Sequence, residues 1–210
     1  MGKRRSIPAN FGRNAARQAQ RKYLAGKMTQ SERVEKNREA AGHVISMCFL
    51  VALNTRYGIG EGRLERVTDA ANAEMERFIV NRKAVGMERA KRKLTEELGE
   101  LLPGGFILPV TKPPKSNKDW AMLGEQREAA EIVVKCYAMG AHKALGFGAG
   151  RVQGTVAETE QVFREFGAWA ESGDYFGYAA LARKLECIFH TAVDVDESGA
   201  VEPIFSETLD

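Results

Sequence analysis

The hexapeptide Gly58-Ile59-Gly60-Glu61-Gly62-Arg63 occurs again 88 positions later as Gly146-Phe147-Gly148-Ala149-Gly150-Arg151. The glycines and the arginine keep their places, and the apolar second residue stays apolar. The flanking positions match at the same offset as well: Ala41/Ala129, Val44/Ile132, Ile45/Val133, Cys48/Cys136, Phe49/Tyr137 and Leu64/Val152. The sequence therefore indicates that one structural unit occurs twice in this chain.

Apolar residues around both hexapeptides recur every three or four positions, which is the spacing of a buried helix face. Thr29-Gln30-Ser31-Glu32 has the pattern of a capping box and predicts a helix from there to Tyr57, ended by Gly58. A second helix carries Leu64, Val67, Ala71, Met75 and Phe78, and a third begins near Gly86. The second copy repeats this plan, so the sequence predicts an all-α fold of two tandem three-helix repeats.

Proline divides the two repeats. Four of the six prolines lie in residues 102–118, through which no helix can run. We expect Phe106, Ile107 and Leu108 to be packed there. The predicted segments are a basic N-terminal arm (1–28), a first helical repeat (29–101), a Pro-rich connector (102–118), a second helical repeat (119–190) and an acidic C-terminal tail (191–210). Val193–Val195 and Ala200–Val201 flank a Gly-containing turn, which is typical of a short β-hairpin.

The charges are distributed unevenly along the chain. Residues 1–40 contain eleven Lys and Arg against three Glu, a charge of +8, whereas the whole chain carries +3 and the remainder therefore −5. A basic arm of this kind commonly contacts phosphates. The alternatives are a solvated tail, an arm that folds back on the acidic C-terminal end, and an organellar transit peptide. The candidate nucleic-acid-binding residues of the arm are Lys3, Arg4, Arg5, Arg13, Arg17, Arg21 and Lys22.

The repeated glycine turn has two interpretations. Glycines let a backbone approach an anion closely, the following helix N-terminus is partly positive, and Arg63 and Arg151 can add charge-assisted bonds to a phosphate. In this interpretation Gly58, Gly60, Arg63, Gly148 and Arg151 bind nucleic acid. Alternatively the turn is a compact corner between helices, in which each arginine bonds the preceding helix's carbonyls. Glu61 favours the corner, because a carboxylate repels phosphate.

Gly58-Ile59-Gly60 and Gly146-Phe147-Gly148, each between two helices, resemble the helix–hairpin–helix elements that bind DNA without sequence specificity. That resemblance covers about ten residues in each copy and implies that the hairpin amides contact a phosphate. The match is incomplete. Thr155 stands where an apolar residue is expected, and Tyr57 and Leu145 take the place of a proline common before the first glycine.

Tyr57-Gly58-Ile59-Gly60-Glu61-Gly62-Arg63-Leu64 also resembles the turn of small helical proteins encoded by phages and prophages of Gram-positive bacteria. Each of those proteins is similar to one repeat, so this chain would be a tandem duplication with a basic arm added. The resemblance implies a phage accessory or host-interaction protein, in the cytoplasm of a bacterial host cell, more than any particular activity.

The sequence contains no pattern that predicts catalysis. His43, His142 and His190 are isolated, and no Cys/His spacing is suited to zinc. We therefore expect a non-enzymatic protein that needs no cofactor or metal and does not enter a membrane. Our first hypothesis is a phage or mobile-element accessory protein that binds DNA or RNA through the arm and the glycine turns. The alternative is an interaction module that inhibits or adapts a host protein, such as a defence nuclease.

Overall fold

The computed structural model describes residues 29–172, 174–195 and 201–208. Its helices are α1 (Gln30–Tyr57), α2 (Glu61–Val85), α3 (Met87–Leu98), α4 (Asn117–Leu145), α5 (Ala149–Trp169) and α6 (Asp174–Phe189). Short 3-10 turns follow α3 (Gly99–Leu101) and α5 (Ala170–Ser172), and two strands follow α6, β1 (Thr191–Val195) and β2 (Val201–Thr208). The predicted all-α class is confirmed. Residues 36–210 form a compact unit by themselves, and the basic arm lies outside the described residues.

The predicted start and end of α1 are confirmed. The backbone amide of Glu32 donates to Thr29 Oγ1 at 3.2 Å, and the amide of Thr29 donates to Glu32 Oε2 at 2.6 Å, so both halves of the capping box are formed. The bond from the Thr29 backbone also holds the pKa of Glu32 below its ordinary value. At the other end Gly58 has φ +60°, a left-handed conformation that glycine adopts without strain.

The helix bounds follow the 88-residue offset. Shifted by 88 positions, α1, α2 and α3 cover residues 118–145, 149–173 and 175–186, close to the observed bounds of α4, α5 and α6. Residues from both halves also share one hydrophobic core, with Phe49 and Val152 fully buried in the same cluster. The duplication itself remains our interpretation of the sequence.

Reciprocal contacts relate the two halves. Gln126 Nε2 donates to Asn37 Oδ1 at 2.9 Å, and Arg38 donates to Glu125 at 2.8 Å. Asn37 therefore contacts the counterpart of Arg38, and Arg38 contacts the counterpart of Asn37. Phe49 meets Tyr137, its own counterpart, with ring centroids 5.5 Å apart. These side-chain contacts therefore join α1 and α4 at corresponding positions of the two halves.

Helices α2 and α4 cross with almost no space between their backbones. At Gly140 a Cβ atom would lie 2.8 Å from the Val67 carbonyl oxygen and 2.9 Å from the Ala71 amide nitrogen. The positions equivalent to Val67 and Ala71 are Thr155 and Thr159, both fully buried. Their hydroxyls donate to the carbonyls of Arg151 and Thr155 at 2.8 Å, so the polar group at 155, where an apolar residue was expected, is satisfied.

One buried residue of α2 lies outside the predicted apolar stripe. Glu74 is 5% exposed, while its predicted neighbour Met75 is half-buried and packs against a small cluster that includes Phe78. Lys143 of α4 and Arg77 both bond the Glu74 carboxylate, and Arg77 also bonds Glu97 of α3. Burial alone would raise the pKa of Glu74, but these cationic partners outweigh it and hold the pKa below its ordinary value. The carboxylate is therefore a charged link between three helices.

The connector is only partly packed. Phe106 and Leu108 are buried as expected, but Ile107 is 69% exposed, so that part of the prediction is wrong. Alternation explains the difference, because an extended segment directs successive side chains to opposite sides. At the C-terminal end β1 and β2 pair antiparallel, with Val195 opposite Val201. The turn between them, residues 196–200, lies outside the described residues, and the hairpin as a whole remains a prediction.

Candidate anion-binding cleft between the two glycine turns

Both glycine turns lie at the same end of the molecule and enclose a cleft between them. Its volume is about 360 Å³, and it is lined by Tyr57, Ile59, Arg63, Arg66, Ala144, Leu145, Phe147 and Arg151. The lining contains three counterpart pairs at the 88-residue offset: Tyr57/Leu145, Ile59/Phe147 and Arg63/Arg151. The cleft therefore lies between corresponding positions of the two turns, next to the ends of α1 and α4.

The two turns have the same backbone geometry. Gly58 and Gly146 have φ +60° and +66°, whereas Gly60 and Gly148 precede their helices with φ −85° and −79°. In each turn the amide of the arginine donates to the carbonyl of the second glycine at 3.1 Å. The turns consequently present Arg63 and Arg151 from equivalent positions in the first turns of α2 and α5.

A side chain from the preceding helix braces each turn. Asn54 Nδ2 donates to the Ile59 carbonyl at 3.1 Å, and His142 Nδ1 lies 2.8 Å from the Phe147 carbonyl. His142 must carry its proton on Nδ1 to donate there. Asn54 and His142 occupy equivalent positions. The sequence gives no signal for this role of His142 because the two residue types differ, but each can place one N–H donor on the equivalent carbonyl of its turn.

Three arginines converge on the cleft without a carboxylate partner. Arg63, Arg66 and Arg151 are exposed, and within the described part of the chain none of them forms an ion pair. The lining residues include no Asp or Glu. Arg63 Nη2 makes a long bond of 3.4 Å to the Gly58 carbonyl, and the Arg151 guanidinium lies 5.3 Å from the centre of the Phe147 ring. An unneutralised group of three cations favours an anionic ligand.

Tyr57 closes one side of the cleft. Its ring meets the Phe147 ring edge-on at 5.2 Å, and its hydroxyl donates to the Arg151 carbonyl at 3.2 Å. A Cβ atom on Gly154 would lie 2.6 Å from that hydroxyl, so only glycine admits it without displacement. The counterparts of Tyr57 and Gly154 are Leu145 and Arg66. The tyrosine side is thus filled, and the leucine side carries an additional cation.

The corner interpretation accounts for only some of the glycines. Gly58 and Gly146 have left-handed φ values, which a corner requires. Gly62 and Gly150 lie inside the first turns of α2 and α5, and a Cβ atom on either would meet nothing within 4 Å. Glycine costs up to about 1 kcal/mol against alanine inside a helix. Packing in the described fold therefore does not require glycine at either position.

The structure separates the sequence-predicted site residues into three groups. Arg63 and Arg151 line the cleft; Gly58, Gly60 and Gly148 lie in the turns beside it and do not belong to its lining. The arm residues Lys3, Arg4, Arg5, Arg13, Arg17, Arg21 and Lys22 lie outside the described residues. Sequence reasoning missed Arg66. Arg66 lies three residues after Arg63, a spacing that places both side chains on one face of α2. Its counterpart is Gly154, so Arg66 is not part of the repeated pattern.

Other groups offer less chemistry. Cys48 and Cys136 are fully buried, and burial raises the pKa of both thiols, to about 12 for Cys136, which keeps them protonated. In the described ranges no group of three or more His, Cys, Asp or Glu side chains is placed to hold a metal ion. No helix in the described part of the chain combines the length and the apolar character needed to cross a membrane.

The fold and the cleft together define an all-α protein with a basic cleft between two glycine turns. No protein-family model matches the chain, and neither the curated proteins nor the solved structures contain a match. The case for a function therefore depends on the geometry of the cleft and on the charge distribution of the sequence.

Proposed function

We propose that this protein binds nucleic acid, with the cleft between the glycine turns holding a phosphate group and the basic arm adding further phosphate contacts. The observation that supports the proposal most directly is the convergence of Arg63, Arg66 and Arg151 in one cleft that lacks a carboxylate. In this proposal the protein is an accessory protein of a phage or mobile element and performs no chemistry of its own.

The charges around the cleft support a specific site more than a diffuse positive surface. The neighbouring cations are already neutralised, since Arg56 lies 3.8 Å from Glu158 and Lys143 bonds Glu74. The three cleft arginines, in contrast, have no carboxylate among the residues that line the cleft. Guanidinium groups match the geometry of phosphate oxygens, and such charge-assisted bonds are stronger than neutral ones.

The test is the salt dependence of binding to a non-specific oligonucleotide, measured for the wild type and for the triple variant Arg63→Gln, Arg66→Gln, Arg151→Gln. We expect the variant to bind about 10- to 100-fold more weakly at low salt, because two or three charge-assisted bonds are lost. The slope of log K against log[salt] should fall by about 0.7 to 0.9 for each phosphate contact removed. A chain that lacks residues 1–28 should show a further decrease in slope.

A matched control removes the same charge elsewhere. Arg89, Arg92 and Lys93 are exposed on α3 and line no part of the cleft. If the triple replacement of these three residues by Gln weakens binding as much as the cleft variant does, the effect is one of net charge and the cleft has no special role. Equal, salt-independent and negligible binding by all variants would remove nucleic acid as the partner.

Exposed apolar side chains favour a second candidate function, a protein–protein interaction module directed at a host factor. Ile107, Val110, Trp120 and Met122 are four of the eight large apolar residues found exposed in the described ranges, and all belong to residues 107–122. Exposed aromatic and Met side chains are typical of interface centres. Immobilised wild type should then retain a host protein that an Ile107→Ser, Trp120→Ser variant loses; equal retention by both would count against this surface.

A further inference from the structure

We propose that the cleft recognises a terminal phosphomonoester of nucleotide size, either a free nucleotide or the phosphorylated end of a strand, in preference to a phosphodiester within a strand. This inference rests on the proposed function and adds a ligand class to it. Three features of the cleft carry it: its closed side, its charge and its size.

The side of the cleft that Tyr57 occupies limits how a ligand can lie there. Tyr57 lies beside Gly154 and is held by its bond to the Arg151 carbonyl. The corresponding residues of the other half are Leu145, which has no hydroxyl, and Arg66, which adds a cation. A strand that passed through the cleft would have to displace Tyr57 from this bond, whereas a ligand that enters by its end would not.

The charge of the cleft matches a doubly charged group. A phosphomonoester carries a charge between −1.5 and −2 near neutral pH, because its second pKa is about 6, whereas a diester carries one negative charge. Coulomb attraction to three guanidinium groups increases in proportion to the charge of the ligand. With no carboxylate in the lining to oppose it, the terminal group is held more strongly.

The size of the cleft matches one nucleotide. Its volume of about 360 Å³ lies near the lower end of the range for small-ligand sites, roughly 300–1,000 Å³, and is far too small for a duplex. Ile59, Leu145 and Phe147 supply apolar lining beside the arginines. The lining therefore combines cations for the phosphate with apolar surface for a sugar or base.

The experiment compares full-length protein binding to two single-stranded oligonucleotides of one sequence, one with a 5′-phosphate and one with a 5′-hydroxyl, by fluorescence anisotropy at fixed salt. We expect the phosphorylated strand to bind about tenfold more tightly. Leu145→Tyr should abolish the preference, because it places a second tyrosine in the cleft at the position equivalent to Tyr57. The size-conserving control Leu145→Met should keep the preference. Arg66→Gln, at an exposed position, should also reduce the preference without a change in folding.

Competition with adenosine 5′-monophosphate identifies the source of the ligand. Displacement by the nucleotide but not by adenosine supports a free-nucleotide site. Preference for the phosphorylated strand without displacement supports a strand end. If the two strands bind equally and both respond to the cleft arginines, this inference is overturned and the proposed function stands. If neither strand binds, both are overturned.

Discussion

A Gly140→Val variant is expected to lose at least about 3 kcal/mol of unfolding free energy, at or beyond the upper end of the usual cost of overpacking. The added Cβ atom would stand 2.8 Å from the Val67 carbonyl oxygen and 2.9 Å from the Ala71 amide nitrogen. Both neighbours are helical backbone, so neither can rotate away, and α2 and α4 must separate. The better helix propensity of valine offsets less than about 1 kcal/mol of this loss.

Urea denaturation followed by circular dichroism at 222 nm measures the effect. Gly124→Ala is the control within the same helix, because a Cβ atom there meets nothing within 4 Å. It should raise stability by up to about 1 kcal/mol. If Gly140→Val matches the wild type while Gly124→Ala behaves as expected, the close crossing of α2 and α4 is not the contact that holds the halves together.

Alanine substitutions at the turn glycines should change the free energy of unfolding in opposite directions, depending on the position. The double variant Gly58→Ala, Gly146→Ala is expected to cost about 2–4 kcal/mol, since a residue with a side chain pays roughly 1–2 kcal/mol in the left-handed region. The double variant Gly62→Ala, Gly150→Ala is expected to gain up to about 2 kcal/mol, because both positions are helical and unobstructed. Thermal and urea unfolding of both variants check the signs.

Binding measured on the stabilised variant decides between the two interpretations of the turn. If Gly62 and Gly150 are glycines because a phosphate approaches the backbone, affinity for an oligonucleotide should fall severalfold although stability has risen. Unchanged affinity would show that the ligand does not approach the backbone at these positions. A decrease in both properties would instead place Gly62 and Gly150 in the folding corner.

Much of the fold could be predicted from the sequence because apolar spacing and end signals are local. The capping of α1 by Thr29, its end before Gly58 and the buried positions Leu64, Val67, Ala71 and Phe78 of α2 all follow from such patterns. The burial of Glu74 could not, because it depends on Lys143, which is 69 residues distant in sequence. Ile107 was misplaced for a related reason: apolar character does not reveal which side of an extended segment faces the core.

The candidate site was predicted in part. Arg63 and Arg151 could be predicted because they occupy the same position in both copies of the hexapeptide. Arg66 and the brace formed by His142 were missed because each differs from its counterpart, Gly154 and Asn54. A comparison based on similarity between the copies cannot indicate residues at which the copies differ.

Covalent connection of the two glycine turns has a consequence for the cleft between them. In a dimer of two identical chains, every substitution would appear on both sides of a shared cleft. Here Tyr57 and Gly154 occupy positions whose counterparts are Leu145 and Arg66. In a single chain the two sides of the cleft can therefore change independently of each other.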